Sequence, residues 1–357
     1  MEIDYKIIDD YNNIHQYKDY KDLGCHLISR EKLNILQGNP IKIDHSAIQI
    51  LACHNSQIVG SGIQFPTKLL IDNHEVIGLT CSSLSVDKLY RKQGIASKIH
   101  KLRMTYSPSG TIFIGSISQM QLNIMARLNA TIFFSRRFIF LKKSRAIIES
   151  ISHGKDFRFF RLVFDFVLKC QSFGLNLFTK ILNRSRFNIQ KMLEATDAYD
   201  AIFRADNHRF KECHDKRWIN WMLRSNPQNS LYYIKQGPEI VGFFVIKDTF
   251  YAQASHRGYK NIKLRSIVEW GAINKTLLSD FKICLLALSL PGDVEAVELC
   301  PFDDKISRRL FFLGLVPKGK ANVVLRFSED SQLQVVKGIR DASNWRLRPA
   351  AGDNIIF

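Results

Sequence analysis

Residues 91–97, Arg-Lys-Gln-Gly-Ile-Ala-Ser, have the types and spacing to hold a phosphate. The first N–H groups of a helix have no carbonyl partner within it, and the helix dipole favours an anion at that end. Gly94 removes the side chain that would block the approach, Ala96 keeps the first turn small, and Arg91 and Lys92 add positive charge. Lys88, Lys98, Lys101 and Arg103 bring further cations to the same stretch. Together these residues suit a pyrophosphate.

Such a loop works only between a strand and a helix. Leu79–Val86 reads as a strand rich in Ser and β-branched residues, and Ile95, Ile99 and Leu102 recur at helical spacing. Upstream, Ala47–Cys53, Gln57–Phe65 and Val76–Val86 read as three antiparallel strands joined by turns at Asn55-Ser56 and Asp72-Asn73-His74. Downstream, Thr111–Ser118 reads as a strand, Gln119–Leu128 as a helix and Thr131–Lys142 as a strand. Gly115, inside an apolar strand, marks a bulge or a close approach of chain or ligand.

With Arg91, Gly94 and Ala96 at three fixed places, this order resembles motif A of the GNAT superfamily of acyl-CoA-dependent N-acyltransferases over residues 45–143. The resemblance implies acetyl-CoA, or another acyl-CoA, as cofactor. It implies that Arg91, Lys92, Gln93, Gly94, Ile95, Ala96 and Ser97 take the pyrophosphate, while the backbone of Leu84, Ser85 and Val86 holds the oxyanion and the pantetheine amides. It also implies that the strands at 79–86 and 111–118 splay apart to admit the pantetheine arm. The family's frequent general acid, a Tyr, has no match in Gln119–Leu128, where Asn123 is a candidate to bond the cofactor. Acyl transfer needs a neutral amine and a proton acceptor, and deprotonating a lysine-like amine at pH 7 costs about 4 to 5 kcal/mol. His74, Glu75, His256 and Glu269 are the candidate bases, and a weakly basic amine can manage with a water relay.

The second half repeats the end of the first. Val294–Pro301, Asp304–Phe312 and Ala321–Phe327 read as strand, helix and strand, with Leu313-Gly314-Leu315 ending the helix. Tyr232–Ile234, Ile240–Lys247 and Lys263–Gly271 supply earlier strands, the first two parted by a turn at Pro238. Between Trp270 and the helix near Phe281–Leu290 there is no Arg-x-x-Gly-x-Ala pattern, so the phosphate loop occurs once. The expectation is an α+β protein of two GNAT-like domains, each a mixed, mainly antiparallel sheet flanked by helices. The loop-bearing domain takes 1–145, a helical linker 146–195, a degenerate copy 196–345 and a tail 346–357. This plan resembles the Fem-type aminoacyltransferases and the N-myristoyltransferases in architecture, without their diagnostic motifs.

Within the linker, Phe157–Leu168 has nine apolar residues in twelve, while Arg158, Arg161, Asp165, Lys169 and Ser172 form a narrow polar stripe. That pattern fits a helix packed between the domains, with Gly174 interrupting it, and the alternative is a helix lying on a membrane. The seven cysteines, at 25, 53, 81, 170, 213, 284 and 300, show no metal-ligand spacing, so reduced thiols and no metal are expected. The opening residues lack an apolar signal core and no apolar run approaches a membrane span, so a cytoplasmic location is expected.

A net charge of +18 calls for an anionic partner. CoA, a nucleotide- or lipid-linked amino sugar and an anionic membrane face are the candidates; nucleic acid is disfavoured because no zinc finger, RNA-binding signature or long basic helix is present. The segment Asn344-Trp345-Arg346-Leu347 and the degenerate copy resemble acyltransferases of bacterial surface-polysaccharide pathways. That resemblance implies N-acylation of an amino sugar by direct attack in a ternary complex. Aminoacyl transfer from transfer RNA and a non-catalytic CoA-binding scaffold are the alternatives.

Overall fold

The computed structural model describes residues 2–23, 27–43, 47–108, 110–116, 121–144, 158–182, 187–252, 261–328 and 331–348. The first half supplies β1 (Asp4–Ile8), β2 (Lys21–Asp22), β3 (Gln49–His54), β4 (Gln57–Ile71), β5 (His74–Val86), β6 (Ile112–Ser116) and β7 (Thr131–Leu141). The second supplies β8 (Phe187–Met192), β9 (Phe210–Glu212), β10 (Asn229–Gln236), β11 (Glu239–Tyr251), β12 (Ile262–Ala272), β13 (Ala296–Leu299), β14 (Val316–Phe327) and β15 (Trp345–Arg346). Two turns fall where the sequence puts them. Asn55 and Ser56 close the β3–β4 hairpin, Asp72 and Asn73 the β4–β5 hairpin, and all four take positive φ, between 48° and 67°. That conformation matches the twist of paired strands and suits these short polar residues.

The fold is α+β, with a mainly antiparallel mixed sheet in the order β1-β3-β4-β5-β6-β14-β7-β13-β12-β11-β10-β8. The two halves exchange their closing strands. β14, from the second half, lies between β6 and β7 and pairs with both, while β7, from the first half, also pairs with β13. The repeated strand-helix-strand endings therefore interlock rather than fold back on their own halves.

The core is shared as well. Leu51, Ile63 and Phe65 of the first half pack in one cluster with Tyr199, Trp218, Trp221, Tyr233 and Phe243 of the second. Trp221 also donates its indole N–H to the Ile35 carbonyl at 2.9 Å. The linker helix runs unbroken from Arg158 to Leu182, so Gly174 does not interrupt it. Its packing differs from the expected seam-filling role. Leu168, Leu175 and Thr179 are buried against the protein, whereas Leu162, Val163, Phe166, Val167 and Phe173 face solvent. The seam is filled instead by the aromatic cluster around Trp218 and Trp221. The side chains of Arg158 and Arg161, counted in the polar stripe, lie outside the described residues.

Candidate functional site

β5 and β6 run side by side from Gly78 and Ile112 to Thr80 and Ile114, where their registered pairing among the described residues ends. Gly115 lies just past that end, where a Cβ would stand 2.7 Å from the Cys81 carbonyl oxygen. The sequence reading of this glycine as a close approach thus resolves to backbone against backbone. Just beyond, β5 bulges. Ser82 faces Ile63 but Ser85 faces Ser61, leaving Ser83 and Leu84 opposite Gly62. Ser83 takes φ +48, and the extra residue bends the strand. Leu84, Ser85 and Val86 lie past the last registered pair with β6 among the described residues. The Ser82 and Ser83 hydroxyls stand 3.0 Å apart at this bulge.

Arg103 holds the bulge in place. Its guanidinium is buried and donates to the Ile63 carbonyl at 2.7 Å and the Ser82 carbonyl at 2.8 Å. Gly62 makes room for it, since a Cβ there would lie 2.5 Å from Nη2. Arg103 is therefore a strut between β4 and β5, not one of the cations available to a phosphate. The helical spacing from Ile95 and Ile99 carries it onto the buried face.

The strand then delivers the loop. Arg91 donates from Nε to the Val86 carbonyl at 3.1 Å, tying the loop back to the strand, so that carbonyl is engaged by the protein itself. Lys92 and Gly94 take φ +66 and +79, and nothing lies within 4 Å of the place a Gly94 Cβ would occupy. The helix Ile95–Thr105 begins there with no side-chain cap, its first internal bond running from Lys98 N–H to the Gly94 carbonyl at 2.9 Å. Helix geometry leaves the N–H groups of Ile95, Ala96 and Ser97 facing out of that end. Arg91, Lys92, Gln93, Lys88, Lys98 and Lys101 are exposed around it, and Asn123 is exposed on the Leu122–Arg127 helix after β6. The arrangement offers an uncapped, basic helix terminus beyond the end of the registered β5–β6 pairing.

In the second half, side chains of the chain itself meet the corresponding strand. β12 pairs with β13 only from Leu264 to Ile267, next to a register shift against β11. Past that point the Trp270 carbonyl accepts from Arg346 Nη2 at 2.9 Å, and Arg348 lies over the Trp270 ring at 4.4 Å. The corresponding helix, Asp280–Leu288, is capped by the Ser279 side chain and carries Asp280 in its first turn. A satisfied, acidic helix start repels an anion.

The candidate bases are scattered. His74 and Glu75 sit at the β4–β5 hairpin end, and Glu75 pairs with Lys68 at 2.9 Å. Six residue steps along the strand lead from Glu75 to Cys81, about 20 Å of extended chain. Glu269 is fully buried, bonded to His214 at 2.8 Å and to Arg346 at 2.6 Å. His256 lies outside the described residues. Cys53 offers no ready nucleophile, because burial pushes its thiol up to about 11.

A buried ionic cluster, which the sequence reading missed, backs the end of the registered β5–β6 pairing. Glu212 accepts from Thr67 at 2.8 Å and from Thr80, the last β5 residue paired with β6, at 3.4 Å. Its other oxygen is 3.4 Å from His214, which bonds Glu269, which bonds Arg346. Burial pulls the His214 imidazole down, but the two flanking carboxylates outweigh it and raise its pKa to about 9. His214 is thus a cation at neutral pH, stacked on Trp218 with ring centroids 3.8 Å apart. No period-two signal marked it in the sequence, since Lys211 and Cys213, between Phe210, Glu212 and His214, are buried as well.

No protein-family model matches the chain, and no curated protein matches it by sequence. Solved structures do match it by shape. A GCN5-related N-acetyltransferase from Anabaena variabilis superposes with a TM-score of 0.52 at 10% identity, covering 92% of this chain and 73% of that one. N-myristoyltransferase from Saccharomyces cerevisiae, solved with myristoyl-CoA and inhibitors, gives 0.56 at 12% identity, covering 91% and 80%. The chain shares the fold of these two acyltransferases. A GCN5-related N-acetyltransferase from Kribbella flavida gives 0.50 at 12% identity, covering 92% of this chain and 73% of that one. Among the described residues the helix after β5 starts uncapped at Gly94, whereas the one after β12 is capped by Ser279 and its strand is met by Arg346 and Arg348.

Proposed function

We propose that this protein is an acyl-CoA-dependent N-acyltransferase that moves an acyl group, acetyl in the first instance, to a primary amine. The observation that carries the reading is the uncapped helix terminus at Gly94, delivered by the strand whose registered pairing with β6 ends at Thr80. Residues and group fit: the N–H groups of Ile95–Ser97 face a diphosphate, exposed lysines neutralise it, and no Cβ fills the space at Gly94. The β5 backbone about Leu84, past the last registered pair with β6, is where this reading places the amides and a developing oxyanion. The amine attacks directly in a ternary complex, and a low-pKa amine gives up its proton through water. An amino sugar carried on a nucleotide or a lipid fits that requirement and the +18 charge.

Calorimetric titration of acetyl-CoA into the wild type and Gly94→Glu tests the cofactor. The expected result is micromolar binding that the added carboxylate abolishes. Absence of binding by the wild type, or equal binding by the variant, overturns it. Release of free thiol with amino-sugar nucleotides then tests the acceptor, and release only with peptides or amino acids would overturn that part.

A further inference from the structure

The helix Arg158–Leu182 presents an apolar face that the protein leaves uncovered. Leu162, Phe166 and Phe173 are 70%, 67% and 70% exposed, and Val163, Val167 and Leu177 flank them at helical spacing. The stripe does not stand alone. Gln171 donates to the Gly314 carbonyl at 2.9 Å, placing the helix beside a turn where Phe311, Phe312 and Val316 are also exposed. Two elements far apart in sequence thus expose large hydrophobes side by side, where soluble proteins seldom leave contiguous apolar surface.

Basic residues predominate among the exposed charges around this face, with Asp303 and Asp304 at the far end of the Asp304–Phe312 helix. Lys169 and Lys180 border the helix stripe, and Arg308, Lys318 and Lys320 are exposed about the Phe311–Val316 turn. Asp165, the one acidic residue of the helix, accepts from the Ser144 N–H and belongs to the packed side. No helix among the described residues is long and apolar enough to cross a membrane. We propose that this face lies on an anionic phospholipid bilayer, its phenylalanines entering the boundary between headgroups and acyl chains and its lysines meeting lipid phosphates. A second copy of the chain is the less fitting occupant, because a two-fold contact would set like-charged rims against each other in a protein already at +18.

Co-sedimentation of the full chain with phosphatidylcholine vesicles, with and without phosphatidylglycerol, tests the proposal. Binding is expected with phosphatidylglycerol and is weakened by salt. The pair Phe166→Ser and Phe173→Ser, both at exposed positions and folded by circular dichroism, should lose roughly tenfold or more of the vesicle partition. Lys169→Gln and Lys180→Gln should each cost about fivefold at low salt. Failure of the wild type to bind phosphatidylglycerol vesicles would overturn the proposal, as would undiminished binding by the phenylalanine pair. So would a lipid-free dimer in sedimentation velocity that the phenylalanine pair dissociates, since the face would then belong to a second copy.

Discussion

Replacing His214 with Gln isolates the buried cation that joins Glu212 to Glu269. In the folded chain the imidazole titrates at about 9, against an ordinary 6.5 for the unfolded chain. The folded state therefore keeps a proton that the unfolded chain sheds, so the stabilisation is complete below pH 6.5 and is lost as pH rises toward 9. Between pH 6.5 and about pH 8 the loss is about 2 kcal/mol at 1.36 kcal/mol per unit. With an unfolding entropy of ~2.1 cal/mol/K per residue over 357 residues, that is a fall of about 3 °C in Tm. His100, buried and held neutral, has the opposite sign and acts below this window, while the raised thiols of Cys53 and Cys213 act above it. Calorimetric melts at constant ionic strength should show the fall in the wild type and its absence in His214→Gln, which also melts lower at the acid end. A wild-type Tm that holds or rises across the window, or a variant that keeps the wild-type slope, would refute a cationic His214.

Three further outcomes follow from the geometry. Gly115→Val drives a side chain into the Cys81 carbonyl, and a loss of about 2 kcal/mol or more with weakened acyl-CoA binding is expected from denaturation and calorimetry. Glu75→Gln should leave kcat for amine acylation within about twofold of wild type, because its carboxylate lies about 20 Å along β5 from Cys81; a kcat collapse would restore Glu75 as the base. Residues 1–145 expressed alone should be insoluble or fail to bind acetyl-CoA, since β14 is missing from between β6 and β7; a monodisperse, binding-competent fragment would contradict this.

The local features of the site are legible in the chain. Gly94 takes a left-handed φ, the Asn55-Ser56 and Asp72-Asn73 turns close as their residues demand, and the Asp304–Phe312 helix has the bounds its periodicity sets. What spacing could not supply is which half owns which strand, because an apolar strand such as β14 fits either neighbour equally well until the whole sheet is assembled. Arg103 shows a different gap. Its charge suggests a surface role, yet the helical period from Ile95 puts it inside, where two backbone carbonyls receive it. Exposure of Phe166 and Phe173 was hidden for the converse reason, since hydrophobicity reports an affinity for apolar surroundings without saying whether protein or lipid provides them.

The exchange of closing strands also sets a clock on biosynthesis. Val323 must meet Ser116, roughly two hundred residues earlier in the chain, before β6 gains its second neighbour. At ~5 to 20 residues per second of translation, the edge of β6 waits some 10 to 40 s for a partner that has not yet been made. The nascent first half carries its Gly94 loop through that interval with one edge of β6 unfilled, exposed to aggregation and to chaperones. Ligand binding that stabilises the finished sheet cannot shorten this wait, so the yield of active protein should be governed by elongation rate as much as by final stability.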